Sequence, residues 1–287
     1  MKTTFLTILL PIVLVVGCGK KPEPLRIACS DDLLPVVKAL GREFRQNFGI
    51  PVITTVDVPD EFASGRSSGN FDFIITDDLD TVARLQENGT ILRTMDVACV
   101  MPVLVLRRDD HLPVLKLTDL ATVDLATLDR PLRMTVASPG ATLLQMVRSR
   151  FEQADIPFEG DDAKIQWVPF LVKEMRSDGT QRLTTADVTL QQLRDGETDI
   201  VVFWDFVAAA TMMKQDDAND FVTVAWPAES SDTITIPLGM VRDCTDATRC
   251  GVFMDFVKSR RGTELLNSCF LHPSDDLVGT QQLVGTQ

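Results

Sequence analysis

The sequence predicts an α/β fold in which short buried strands, largely parallel, alternate with amphipathic helices. From Leu25 onward, short apolar runs alternate with segments whose apolar residues recur at helical spacing. That alternation is typical of sheets flanked by helices. The chain is 45% apolar and 24% charged, so it can bury a full core. The predicted strands are residues 25–30, 51–56, 71–76, 101–107, 132–138, 199–204, 221–226 and 233–241.

The predicted helices end where glycine and proline follow the apolar periodicity. Gly49, Ile50 and Pro51 come directly after the first helix, and Gly89 follows the second. A glycine just past the last turn, with a trailing proline, is a typical helix stop. The predicted helices are residues 33–48, 80–88, 141–154, 188–195 and 247–269.

The first 24 residues predict an export signal and a tether. Lys2 precedes an apolar run, residues 5–16, which is shorter than the roughly 20 residues of a membrane span and therefore indicates a signal peptide. Gly17-Cys18 resembles the lipobox of bacterial lipoproteins, so residues 1–17 would be removed and Cys18 would carry the lipid. The alternative is an ordinary secretory signal with an incidental cysteine. Residues 18–24 then form the lipidated cysteine and a flexible tether.

The charge of the chain restricts its partners. Removal of residues 1–17 leaves 270 residues, and the loss of Lys2 changes the formal net charge from −13 to −14. Such a charge argues against nucleic acid or an anionic bilayer as a ligand. We therefore expect the membrane to be contacted through the lipid alone, at the periplasmic or extracytoplasmic face of the cell envelope.

Five cysteines remain after Cys18. In an oxidising compartment, Cys244 and Cys250 are a candidate local disulfide because only five residues separate them. The sequence contains no CxxC motif, and its two histidines, His111 and His272, are far apart. A structural zinc site is therefore not expected, and no metal site is assigned.

Six segments, taken in order, resemble the molybdate-binding type of periplasmic substrate-binding protein that serves ABC transporters. They cover nearly all of the mature chain, and although each motif alone is weak, their order and spacing are fairly specific. The segments are LRIACSDDLLPVVKALGREFRQNFGIPVITTV, GNFDFIITDD, MPVLVLRRD, MTVASPGATLLQMVRSRF, DVTLQQLRDGETDIVVFWDFVAAA and GVFMDFVKSRRGTELLNSCF.

The resemblance implies a type II periplasmic binding protein with two α/β lobes joined by two crossing strands. Lobe 1 would comprise residues 25–99 and 235–276, lobe 2 residues 100–234, and residues 277–287 would be a tail. The ligand would lie in the interlobe cleft, at the carboxyl ends of the strands, and closure would be a hinge motion. The resemblance also implies a monomer without a cofactor, working with an ABC permease.

The family's ligand contacts, carried over by position, fall on residues that are unusually acidic. The family uses hydroxyls and backbone N–H groups around its oxyanion, and its tyrosine position corresponds to Trp204 in a chain that has no tyrosine. An indole can still donate one hydrogen bond. The ligand-binding residues expected on this basis are Ser30, Asp31, Asp32, Asp57, Ser138, Gly140, Ala141, Asp187, Val188, Trp204 and Asp205.

The acidic residues weigh against molybdate, tungstate or sulfate as the ligand. A carboxylate about 4 Å from a dianion repels it by roughly 2 kcal/mol in bulk water, and by more in a closed cleft. Each acidic residue also has a structural interpretation. Asp31 or Asp32 would cap the first helix, Asp57 and Asp60 would shape a turn, Asp77 and Asp78 would cap the second helix, and Trp204 would pack in the core.

Three functions of different classes remain open. The first is a solute-binding lipoprotein retuned for a cation or a cationic solute, or one that retains an oxyanion through backbone donors with its acids turned away. The second is a sensor or partner-docking lipoprotein without a role in transport. The third is an enzyme, which is least expected because the sequence has no GxSxG, P-loop or HExxH motif.

Overall fold

The protein is described by a computed structural model. It describes residues 22–56, 71–108, 130–137, 141–153, 155–156, 158, 165–168, 185–213, 220–225 and 233–274. The predicted signal peptide with Cys18, the predicted tail, and Asp57, Ser138 and Gly140 lie outside these ranges.

The first sheet has six strands in the order β11-β4-β10-β3-β1-β2. Strand β1 pairs in parallel with both β2 and β3, as the alternating pattern predicted. Strand β10 lies between β3 and β4 and runs antiparallel to both, so the sheet is mixed. The strands are β1 (Leu25–Cys29), β2 (Val52–Val56), β3 (Phe73–Ile75), β4 (Ile91–Val100), β10 (Ile234–Val241) and β11 (His272–Pro273).

The second sheet has five strands in the order β7-β6-β8-β5-β9. Strand β6 is parallel to β7 and β8, whereas β5 is antiparallel to β8 and β9. The strands are β5 (Pro102–Arg107), β6 (Leu132–Val136), β7 (Ile165–Trp167), β8 (Ile200–Trp204) and β9 (Phe221–Ala225).

The chain crosses between the sheets twice among these strands. Strand β4 ends at Val100 and β5 begins at Pro102, so only Met101 separates the two sheets there. The return crossing runs from β9 to β10. These crossings account for the antiparallel pairs, because β10 enters the first sheet from the second instead of through a helical crossover.

Helices pack against both sheets, and the predicted two-lobed α/β fold class is confirmed. Asp31–Leu33 form one 3₁₀ turn that leads into the first helix. The helices are α1 (Leu34–Phe48), α2 (Leu79–Glu87), α3 (Ala141–Gln153), α4 (Thr185–Arg194), α5 (Asp205–Met212), α6 (Ala247–Lys258) and α7 (Arg260–Ser268).

The prediction of one continuous helix over residues 247–269 is wrong. Ser259 has extended backbone angles, φ −64° and ψ 159°, and separates α6 from α7. Its hydroxyl accepts a hydrogen bond from the Gly262 N–H, at 3.2 Å, and so caps α7. Helix α5 and strands β4, β7 and β11 were not among the predicted elements.

The stops predicted for the first two helices are present. Gly49 follows α1 with a left-handed φ of 71°, and its N–H donates to the Arg45 carbonyl oxygen. Gly89 follows α2 with φ 76°. Both conformations favour glycine over residues with a Cβ.

Cys244 and Cys250 are free thiols in the structure, so the candidate disulfide is not formed in it. Burial raises the pKa of the Cys250 thiol, and a hydrogen bond with Cys244 raises it further. None of the helices within the described ranges combines the length and apolar content that a membrane span needs.

Candidate functional site between the two lobes

The turn after β1 carries three of the predicted residues, Ser30, Asp31 and Asp32. The Ser30 N–H donates to the Ile75 carbonyl oxygen at 3.2 Å, which ties the end of β1 to the end of β3. The N-cap residue of α1 is Leu33, so neither aspartate is the N-cap residue of that helix. The structure therefore contradicts the capping interpretation of this pair.

Asp32 is a buried carboxylate that is close enough to other carboxylates to be affected by their charge. It is 9% exposed, and no donor among the described residues reaches its Oδ2. Burial raises its pKa well above the usual value, and the charges of Asp77, Asp31 and Asp187 raise it further. The Ser30 Oγ is likewise buried without a hydrogen-bond partner among the described residues.

A hydrogen bond between Trp204 and Asp77 joins the two lobes. Trp204 ends β8 of the second sheet, and Asp77 follows β3 of the first. The indole Nε1–H donates to Asp77 Oδ2 at 2.7 Å, and both residues are buried. Trp204 therefore lies at the interlobe contact, at the position where the resemblance expected a donor.

Asp77 lies at the interlobe contact, whereas the sequence interpretation assigned it to helix capping. Only Asp78 has that role, since its Oδ1 accepts from the Thr81 N–H at 3.3 Å at the start of α2. The signal in the sequence was the Asp77-Asp78 doublet at a strand end. One helix start needs only one N-cap residue, so one of the two carboxylates, here Asp77, is available for another contact.

The second lobe contributes the first turns of α3 and α4. Asp187 and Val188 are half-buried on the first turn of α4, which lies beside the Asp31–Leu33 turn. Ala141 begins α3. Next to it, the Thr142 Oγ1 accepts from the Leu79 N–H at 3.1 Å, a second bond between the lobes. Thr142 was not among the predicted site residues.

Asp205 makes its contacts at a crossing between the sheets. Its Oδ1 accepts from the Met101 N–H at 3.3 Å, and its own N–H donates to the Met101 carbonyl oxygen at 2.8 Å. Its Oδ2 lies 3.6 Å from His272 Nε2, and burial raises the pKa of its carboxyl. These contacts link Asp205 to the hinge-like crossing, whereas Asp32 interacts with Asp77, Asp31 and Asp187.

The cleft thus brings together acceptors contributed mainly by the first lobe. Carboxylate and hydroxyl oxygens can accept hydrogen bonds from a solute or pair with a positive charge. Within the described ranges, no group of three or more His, Cys, Asp or Glu side chains is arranged to hold a metal ion.

Comparisons with known proteins identify the architecture. A family model described as bacterial extracellular solute-binding protein matches residues 25–269. No curated protein matches the chain in sequence.

Solved structures match the chain over most of its length at low sequence identity. A substrate-binding domain from Clostridium difficile, assigned to a molybdenum ABC transporter, is 13% identical with a TM-score of 0.58, over 88% of this chain and 100% of that one. Iron-bound HitA from Pseudomonas aeruginosa is 14% identical with a TM-score of 0.62, over 88% and 86%. The sulfate-binding protein SubI from Mycobacterium tuberculosis H37Rv is 17% identical with a TM-score of 0.61, over 91% and 90%. At these identities, the likeness concerns the fold.

Proposed function

This chain belongs to the family of bacterial extracellular solute-binding proteins, and from that premise we propose that it is the solute-binding lipoprotein of an ABC-type uptake system. It binds a small solute in the interlobe cleft and passes it to a permease. The observation that carries the proposal is the meeting of Asp32, Asp77 and Trp204 between the lobes. Polar groups buried between two lobes are typical of ligand sites in such folds.

The structural relatives support a role in binding a solute. The class of solute depends on the side chains that line the cleft. They include a binding domain of a molybdenum transporter, an iron-bound protein and a sulfate-binding protein, so one architecture serves anions and a metal cation alike. Ligand identity in this architecture depends on the groups that line the site. Here these groups include the Asp32 carboxylate and the Ser30 hydroxyl.

A lipid anchor at Cys18 forms part of the proposal. Its support is the sequence around Gly17-Cys18 and the lysine- and proline-containing segment that follows. An anchored binding protein stays near its permease without a membrane span of its own. Labelling of cells with a radioactive fatty acid tests this part, and Cys18→Ala should abolish incorporation.

A thermal-unfolding screen tests solute binding itself. The mature protein is heated with a panel of oxyanions, divalent metals, amines, amino acids and sugars. A true solute present at 100 times its Kd stabilises the folded state by about 2.7 kcal/mol, which is a shift of several degrees. Failure of every compound to raise the unfolding temperature would contradict the proposed uptake role.

The second candidate is a docking or sensing lipoprotein. It is favoured by one observation, namely that the Trp204 indole N–H is already engaged by a carboxylate of the same chain. A cleft whose donor is satisfied internally can remain closed while the outer surface contacts a partner. Affinity capture from detergent-solubilised membranes separates the two candidates, because uptake requires recovery of an ABC permease.

A further inference from the structure

Two buried oxygens without partners lie on the turn after β1. Ser30 is 3% exposed and Asp32 is 9% exposed, and no donor among the described residues reaches Ser30 Oγ or Asp32 Oδ2. A buried acceptor that lacks a donor destabilises the folded protein, so such groups are rare in native structures. Two of them within three residues, at the interlobe contact, indicate that donors are supplied from outside the chain.

The charges near these oxygens indicate that the missing hydrogen-bond donor is positively charged. The groups that raise the pKa of Asp32, besides its burial, are the carboxylates of Asp77, Asp31 and Asp187. They come from the turn after β1, the end of β3 and the first turn of α4, so both lobes contribute. A positive charge among them would be attracted by all four carboxylates.

The number of available oxygens distinguishes an organic cation from a metal ion. Calcium takes six to eight oxygen ligands and magnesium takes six. Within the described part of the chain, no set of three or more acidic, histidine or cysteine side chains is arranged to hold a metal. An ammonium group, by contrast, has three N–H donors that can be directed to separate acceptors.

We propose that the solute carries a protonated amine, whose N–H groups donate to Asp32 Oδ2 and Ser30 Oγ. This inference rests on the proposed function, and it names the chemical class of the solute. Asp77 supplies a second negative charge, and its bond to Trp204 fixes that carboxylate between the lobes. Asp187 adds negative charge from the second lobe, so binding of the amine favours the closed arrangement.

Calorimetry of the mature protein at pH 7.5 with matched probes tests the proposal. Ethanolamine and putrescine are primary amines, choline has the charge of ethanolamine without its N–H donors, and ethylene glycol replaces the amine of ethanolamine with a neutral hydroxyl. We expect at least one primary amine to bind at a ratio of one to one. Choline and ethylene glycol should bind at least ten times more weakly than the primary amine that binds.

Variants identify the residues that hold the amine. Asp32→Asn should weaken binding of the primary amine by about 30-fold or more, which corresponds to about 2 kcal/mol. Ser30→Ala should weaken it by about tenfold, and this variant keeps the test valid should Asp32→Asn fold poorly. Asp255→Asn is the control, because it removes the same formal charge from an exposed position on α6.

Two results would overturn the proposal. Binding of neither amine would exclude the amine class, and amine binding that is unchanged in Asp32→Asn and Ser30→Ala would exclude this site. Stoichiometric binding of molybdate or sulfate in their place would also overturn the amine class while leaving solute uptake intact. Uptake itself is rejected only by the separate screen in which no compound stabilises the protein.

Discussion

At the scale of single residues, paired aspartates at strand ends divide their roles. In Asp77-Asp78, the second residue caps α2 and the first accepts the indole N–H of Trp204. In Asp31-Asp32, the second residue is buried among carboxylates, and its Oδ2 has no donor among the described residues. Each pair therefore places one carboxylate between the lobes, and of these two it is Asp32, buried without a donor at Oδ2 from the described part of the chain, that weakens the folded state.

Asp32→Asn should stabilise the ligand-free protein increasingly as the pH rises. The Asp32 pKa is raised in the folded state from a usual value of 3.8, so the folded protein binds the proton more tightly than the unfolded chain. The unfolding free energy of the wild type therefore falls as the pH rises from about 4 toward the raised pKa, by at most about 1.4 kcal/mol per pH unit. Asparagine does not titrate, so the variant lacks this loss.

Urea unfolding of wild type and Asp32→Asn between pH 4.5 and 8 measures this difference. Asp255→Asn, which removes a charge from an exposed site on α6, should show a pH dependence like that of the wild type. A stability difference between wild type and Asp32→Asn that is constant with pH would show that Asp32 does not titrate as its burial requires.

At the scale of elements, the break between α6 and α7 is set by a close approach of backbone atoms. Ser259 ends the α6 geometry and caps α7 through its hydroxyl. Gly262 packs so closely that a Cβ there would contact the carbonyl oxygens of Val257 and Phe256, the latter at 2.5 Å. The absence of a side chain at Gly262 is therefore needed for this close approach.

Gly262→Ala and Gly251→Ala should change stability in opposite directions. Gly262→Ala forces a backbone shift and should lower the free energy of unfolding by about 1 to 3 kcal/mol. Gly251 lies within α6, and a Cβ added there would meet no atom within 4 Å. Gly251→Ala should therefore raise the free energy of unfolding by roughly 0.5 to 1 kcal/mol through helix propensity.

Chemical denaturation at neutral pH compares the two glycine variants directly. Both variants replace glycine by alanine in adjacent helical segments, so differences in side-chain chemistry do not affect the comparison of their stabilities. Equal effects of both variants would mean that α7 can adjust without cost and that Gly262 does not set the break.

At the scale of the whole molecule, side-chain hydrogen bonds and the crossing of the chain at Met101 join the two lobes. The Trp204–Asp77 and Leu79–Thr142 hydrogen bonds join the cleft faces. Asp205 meanwhile binds Met101 at the crossing from β4 to β5. We expect a relative motion of the lobes that bends this crossing to separate the first pair of contacts, and the Trp204–Asp77 bond would oppose that motion.

Trp204→Phe should destabilise the protein by about 2 kcal/mol more than Trp167→Phe. Both variants lose an indole, but of the two only the Trp204 N–H donates a hydrogen bond within the described ranges, to the buried Oδ2 of Asp77. The Trp167 N–H is buried without a hydrogen-bond partner among the described residues. Removing a donor from a buried carboxylate costs about 1 to 3 kcal/mol beyond the lost packing.

Urea unfolding gives the stability difference, and small-angle scattering gives the radius of gyration of each variant. The Trp204→Phe protein should be more open than the Trp167→Phe protein. Equal stabilities and equal radii would show that this hydrogen bond does not hold the lobes together.

The class of fold, most of the strands and the helix stops at Gly49 and Gly89 could be predicted from the sequence alone. These features are local, since periodicity and glycine conformation act within a few residues. The resemblance also selected Trp204 and the turn from Ser30 to Asp32 as candidate site residues. Whether they contact a ligand remains a prediction.

The partners of the interlobe carboxylates could not be predicted without the three-dimensional structure. Asp77 and Trp204 are 127 positions apart, and no pattern in the sequence joins them. Asp205 follows Trp204 directly, but its N–H donates to the carbonyl oxygen of Met101, where the chain crosses between the sheets. The break at Ser259, by contrast, depends on local contacts, the hydroxyl bond to Gly262 and the close approach of Gly262 to the backbone of α6. Contacts between segments far apart in sequence depend on how those segments pack, which local propensity does not encode.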